Sequence, residues 1–171
     1  MARQAPPPYS KFNYQIERNL DWSELDQLGH ANNARYFTWF EEARMNYFRQ
    51  VGIPVSGNLS WGPILAHTEC HFLAPVTWPN SLVLCAKTVN LGMSSLNMTY
   101  AVYTKTQHLD HGIDQGLALD HQVNGQKLNK SDHGLRCVAF GTGVIVLVNY
   151  ETGQKLEISA ELREAINTFE S

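Results

Sequence analysis

From Ala34 to Val51, Tyr36, Phe40, Ala43, Tyr47 and Val51 recur at spacings of three or four, and Phe37, Trp39 and Phe48 widen the stripe. That period predicts an amphipathic helix with a bulky, largely aromatic buried face. Gly52, with Pro54 two residues on, marks its end. This stretch limits the fold most, because the segments around it carry a different period. Before it, FNYQIER alternates Phe12, Tyr14 and Ile16 with polar residues, as a half-buried strand does. After it, strand-like segments follow at Ile64–Leu73, Leu82–Leu91, Ser95–Thr106 and Leu135–Asn149, parted by turn signals such as TWPNS and NLGMS. One early helix and four or five long strands predict an α+β fold with an antiparallel sheet. Ser159 is placed to cap a closing helix, with Glu161 in its first turn.

The 171 residues fit one domain, and 43% hydrophobic against 17% charged residues is a globular balance. Residues 1–11, with three consecutive prolines, are expected to form a flexible leader, and residues 12–171 a single domain. Residues 107–134 show little periodicity and hold scattered His, Asp and Gly, so they read as a long loop inserted between the last two strands. A net charge of −3 argues against nucleic acid as a partner, since phosphate contacts need a clustered basic excess. No apolar run is long enough for a membrane span and the N-terminus lacks a signal-peptide core, so a soluble, cytoplasmic protein with no membrane partner is expected. Cys70, Cys85 and Cys137 are odd in number and sit in apolar runs, as buried free thiols do.

Ahead of the helix lies LDQLGHANNARYF, residues 25–37. On local chemistry alone, Asn32 or Asn33 caps the helix, Gly29 permits a positive-φ turn, and Asp26 and His30 satisfy loop backbone groups. A capped helix also leaves N–H donors pointing outward, where the helix dipole favours developing negative charge. An acid seven residues before such a donor, beside a helix–sheet crevice, suits acyl transfer.

The string WSELDQLGHANNARYFTWFEEAR resembles the opening motif of the hotdog-fold acyl-CoA thioesterases of the 4-hydroxybenzoyl-CoA thioesterase-like family. The likeness continues through ARMNYFRQVGIP, FLAPVTWPNSLVL, VAFGTGVIVLVNYETGQK and ISAELREAI; Ala31 stands where the family has valine, and the connection after Lys105 is longer than the family's. The resemblance implies a hotdog fold, a long central helix wrapped by a curved antiparallel sheet, assembled as a homodimer or homotetramer with active sites at the dimer interface. It implies Asp26 as the catalytic carboxylate, acting as nucleophile or general base, and the backbone N–H of Asn33 as oxyanion donor. His30, Asn32 and Tyr36 would contact the substrate, and Ser94 and Ser95 the pantetheine arm.

The implied reaction is hydrolysis of an acyl-CoA or acyl-carrier-protein thioester, with no cofactor beyond the coenzyme A of the substrate. A dehydratase or lyase-type step on a polyketide or acyl intermediate, and a non-catalytic acyl-binding module, are the alternatives. Glu42 is a fallback acid, or else pairs with Arg44 or another chain. Tyr36, Phe40 and Trp61 line an acyl pocket or are core. HTECH places His67, Glu69 and His71 on one strand face and Thr68 and Cys70 on the other, which divides the cluster, and no metal site is expected. FGTGV lacks a phosphate-loop context and reads as a bulge or close packing point. The absence of Gly-x-Ser-x-Gly disfavours a serine hydrolase.

Overall fold

The computed structural model describes residues 5–105 and 134–171. Its elements follow in the order β1 (Tyr14–Asn19), α1 (Asn33–Val51), β2 (Trp61–Phe72), β3 (Ser81–Leu91), β4 (Ser95–Lys105), β5 (Leu135–Asn149) and α2 (Ala160–Glu170). The strands form one antiparallel sheet in the order β1-β3-β4-β5-β2. Register shifts between Leu65 and His67, Thr88 and Asn90, and Val102 and Tyr103 insert extra residues, and such bulges bend and twist strands. The sheet curves around α1, which is the hotdog arrangement. The inserted loop read at about 107–134 lies outside the described residues apart from Gly134.

The aromatic stripe of α1 explains the layering. Tyr36, Trp39, Phe40, Tyr47 and Phe48 are buried against Leu82 and Leu84 of β3, Leu96, Met98 and Tyr100 of β4, and Ile145 and Leu147 of β5. Full burial of each such side chain contributes roughly 1.5–3 kcal/mol. Glycines at the contact make it close: a Cβ on Gly141 would lie 2.1 Å from the Glu69 carbonyl oxygen and 2.7 Å from the Phe40 ring, and one on Gly143 2.7 Å from the Tyr100 hydroxyl. FGTGV is therefore a packing point for α1. Phe40 stacks on Tyr100, ring centroids 5.1 Å apart, and the guanidinium of Arg44 sits 5.7 Å from the centre of the same Tyr100 ring.

β2 is an edge strand. It begins three residues before the expected Ile64, running through Gly62 and Pro63. An edge tolerates proline because its missing N–H falls on the unpaired side. The same strand exposes Ile64 (47%), Leu65 (40%) and Phe72 (41%).

Residues 5–11 of the expected flexible leader lie against the sheet's outer face. Tyr9–Lys11 form a 3-10 turn, the Tyr9 ring meets Tyr103 edge-on at 5.2 Å, the Tyr103 hydroxyl donates to the Pro7 carbonyl at 2.6 Å, and Lys87 Nζ donates to the Lys11 carbonyl at 3.0 Å. Prolines bar the segment from the ladder, but Tyr9 still finds apolar area to cover. It packs over a second buried cluster of Phe12, Val83, Cys85, Ala101, Tyr103 and Phe140.

Candidate active site

The turn before α1 is built by an unbroken series of local hydrogen bonds. The Asp21 side chain accepts from Ser23 N at 2.8 Å while Glu24 Oε2 accepts from Asp21 N at 2.9 Å, a capping box on the 3-10 turn Trp22–Glu24. The chain then folds back on itself: Leu25 bridges Ala31, Asp26 N donates to the His30 carbonyl at 2.7 Å, and Gly29, at φ +78°, donates to the Asp26 carbonyl at 3.0 Å. It is pinned to the segment after β2, because Ala31 N donates to the Val76 carbonyl at 2.8 Å and His30 bridges Thr77.

Within this frame the two asparagines divide their tasks. Asn32 is the N-cap, its side chain accepting from Ala34 N at 2.9 Å and its carbonyl from Arg35 N at 2.8 Å. Its own N–H donates to the Glu24 carbonyl at 2.9 Å. Asn33 is the first helical residue, and its N–H has no acceptor among the described residues. That donor opens a 19-residue helix, about 28 Å long at ~1.5 Å per residue, whose dipole places partial positive charge there.

Asp26 is half-buried. Its Oδ1 accepts from Leu28 N at 2.8 Å and His30 N at 3.3 Å, whereas Oδ2 has no donor among the described residues. The turn thus holds a carboxylate by one oxygen and leaves the other open, seven residues before a helix start with one unfilled amide. An open carboxylate oxygen can take a proton from water or attack a carbonyl, and an oriented N–H can stabilise the resulting oxyanion.

The remaining candidates are placed differently. The Tyr36 ring, 2% exposed, lies 4.6 Å from the Trp39 ring and 5.0 Å from that of Phe72, and burial pushes its phenol up to about 12. Ser94 and Ser95 sit at the other end of the sheet. β5 carries the register: Phe72 pairs with Ala139, while Ser95 pairs with Val146, on the order of 20 Å along the strand. The Ser94 carbonyl accepts from Leu147 N at 3.0 Å, and Arg163 of α2 donates to the Gly92 carbonyl at 2.8 Å. Near that end, Trp61 joins Val51, Leu147, Leu156 and Leu162 in lining a cavity of about 600 Å³ whose wall also carries Glu157 and Glu161.

Glu42 pairs with Arg18 at 3.0 Å; Arg44 is occupied by Tyr100. Glu69 accepts from Thr142 Oγ1 at 3.0 Å and His71 stacks on Phe140 at 4.8 Å, so two of the three HTECH groups on that face have partners in the sheet. All three cysteines are free thiols, and burial holds Cys70 and Cys137 near 12. Sequence reading misses Glu24, which is 7% exposed and central to the turn. The Asp-x-x-Glu spacing from Asp21 is the signal that finds it.

Comparison with known proteins decides the family. The family model described as the thioesterase-like superfamily matches residues 20–166. The chain belongs to this superfamily. The uncharacterized protein YsmA of Bacillus subtilis (strain 168) is 32% identical over 91 residues, which are 53% of this chain and 61% of YsmA. Among solved structures, a thioesterase from Thermus thermophilus complexed with coenzyme A and Zn is similar at 25% identity and TM-score 0.65, over 94% of this chain and 96% of that one. The PA5185 protein of Pseudomonas aeruginosa strain PAO1 shares the fold at 21% identity and TM-score 0.72, over 97% and 98% of the two chains. The matched superfamily region begins at Leu20 and so includes the whole turn around Asp26.

Proposed function

We propose that the protein hydrolyses acyl thioesters of coenzyme A, with Asp26 as the working carboxylate and the Asn33 amide as oxyanion donor. The observation that carries this reading is that one hydrogen-bonded turn leaves both an Asp26 carboxylate oxygen and the Asn33 N–H without partners among the described residues. Membership of the thioesterase-like superfamily and the likeness to a coenzyme A-bound thioesterase support it. Coenzyme A enters as part of the substrate; a carrier-protein thioester offers the same bond.

Two routes use the same atoms. As general base, Asp26 takes a proton from water, the oxygen of that water attacks the carbonyl carbon, and the C–S bond breaks to release thiol and acid. As nucleophile, the open carboxylate oxygen attacks, thiol departs, and water then cleaves the mixed anhydride. In both, negative charge grows on the carbonyl oxygen, where one oriented donor is worth about 3 kcal/mol. His30 and Asn32 shape the turn through their backbone groups. A single turnover in ¹⁸O-water tests the nucleophilic route, because only there can water attack the Asp26 carbonyl of the anhydride and leave label in the Asp26 carboxylate.

A homodimer fits this site. The β2 edge presents unpaired backbone groups with Ile64, Leu65 and Phe72, and Phe72 touches the Tyr36 ring one turn into α1, so a second copy seated on β2 would close the approach to the turn.

The deciding experiment is a panel of acetyl-, octanoyl-, palmitoyl- and benzoyl-CoA read with a free-thiol reagent. Thiol release that disappears in Asp26→Asn supports the proposal. Near-normal release by that variant, or binding without release, refutes it. A modified acyl chain still attached to its carrier would instead mark dehydratase or lyase chemistry.

A further inference from the structure

Among the described residues Glu24 is the only buried acid, and it lies two positions before Asp26. Three donors converge on its carboxylate. Trp39 Nε1 donates to Oε1 at 2.9 Å, while Asp21 N and Arg18 Nη2 donate to Oε2 at 2.9 and 2.8 Å. The other arm of Arg18 reaches Glu42 Oε2 at 3.0 Å, so β1, the 3-10 turn and α1 share one charge-assisted network. A buried carboxylate is tolerated because each oxygen is donated to and a guanidinium matches its charge.

The main chain of the same residue acts on the helix start. Its carbonyl accepts the Asn32 N–H at 2.9 Å. That bond decides which donor is left over: Asn32 N–H is taken by Glu24 and Ala34 N–H by the Asn32 side chain, so the Asn33 N–H is the first unfilled one. Glu24 therefore grips α1 at two places, backbone to Asn32 and side chain to Trp39, while Asp26 hangs from the loop between them.

We propose that Glu24 is a positioning residue for the Asp26 and Asn33 pair, locking the turn to the helix so that carboxylate and unfilled amide keep a fixed separation. The inference rests on the hydrolytic reading of the site. Glu24 touches no substrate; it acts through the two groups it holds.

Glu24→Gln tests it, because glutamine keeps the shape but turns an NH₂ group towards donors. With the fastest thioester of the panel, kcat is expected to fall about ten- to a hundredfold with KM nearly constant, the signature of misplaced reacting groups. Introduced into an Asn33→Pro background, the same change is expected to cost less than about threefold, because the amide it positions is already gone. Equal losses in the two backgrounds, or unchanged kcat in a folded Glu24→Gln protein, overturn the proposal. If Glu24→Gln does not fold, Trp39→Phe removes one donor and keeps an aromatic, though smaller, side chain there; a kcat loss that vanishes in the Asn33→Pro background supports the inference, and one that persists there, or no loss, overturns it.

The two readings fail separately. An inactive Asp26→Asn beside a fully active Glu24→Gln sinks the inference alone. A wild-type protein that releases no thiol sinks the hydrolytic reading, and ¹⁵N NMR then decides whether Glu24 locks the turn. Faster amide exchange at Asn32 and a shifted Trp39 indole resonance in Glu24→Gln are expected, and an unaltered spectrum overturns the inference.

Discussion

The two ends of α1 are made of the same kind of chain and present opposite chemistry. At its first turn the helix meets a polar loop in which the backbone groups around Asn33 are paired and its own N–H is not. At its last turn it meets a largely apolar wall, with Glu157 and Glu161 at its margin. The Phe48 carbonyl accepts from both Gly52 N and Ile53 N, and Val51, Trp61, Leu147, Leu156 and Leu162 wall a cavity of about 600 Å³. One end offers an oriented donor in the same turn as an acid, the other offers volume. An apolar cavity alone binds; chemistry needs groups whose hydrogen-bonding capacity has been left unspent by the fold.

That contrast breaks most easily at the leading end. Asp26→Asn is expected to lower kcat by about a thousandfold or more while the circular dichroism spectrum and melting temperature stay near wild type. Asn33→Pro comes next. Proline is accommodated at the first helical position, and Asn32 before it already has φ −60° and ψ 134°, so the change deletes one N–H without unwinding α1. A fall in kcat of about 10²–10³-fold at nearly constant KM is expected from steady-state kinetics. Little or no loss would remove the amide from the mechanism and leave the carboxylate without its partner.

The smaller effects set the ends against each other through their caps. Asn32→Ala removes the N-cap and is expected to cost about 1 kcal/mol in urea unfolding, with a measurable drop in kcat because the loosened first turn carries Asn33. Gly52→Ala strains the C-cap, whose φ is +85°, and is expected to cost a similar ~1 kcal/mol with kcat unchanged. If both caps affected turnover equally, the division between a chemical end and a structural end would be wrong.

Sequence patterns are most readable where one period dominates. Leu135–Asn149 matches its strand at both ends and α1 begins one residue before the expected Ala34, because long runs of alternating or three-to-four spacing outweigh single propensities. β2 reads short in the sequence because Gly62 and Pro63 look like turn residues, and only their place on a sheet edge makes them strand. Tyr9 is hidden behind prolines that say nothing about packing on Tyr103. In the site, the capped turn is visible from residue types and the resemblance singles out Asn33, but the bond from Asn32 N to Glu24 that takes up the neighbouring donor is encoded by no spacing rule. The pairings of Arg18 with Glu24 and Glu42, like the distance along the sheet from Phe72 to Ser95, are long-range outcomes of topology.

The rim formed by β2 bears on solubility over long storage. Its outward row of backbone donors is interrupted at Pro63, and the chain is kinked again where the register slips between Leu65 and His67. A template with gaps seats one matching rim related by a twofold axis, which then closes on itself, but it cannot be copied strand after strand. The same irregularities make this greasy, exposed margin a poor template for fibrous growth, and in the homodimer proposed above they would still allow a single finite seal.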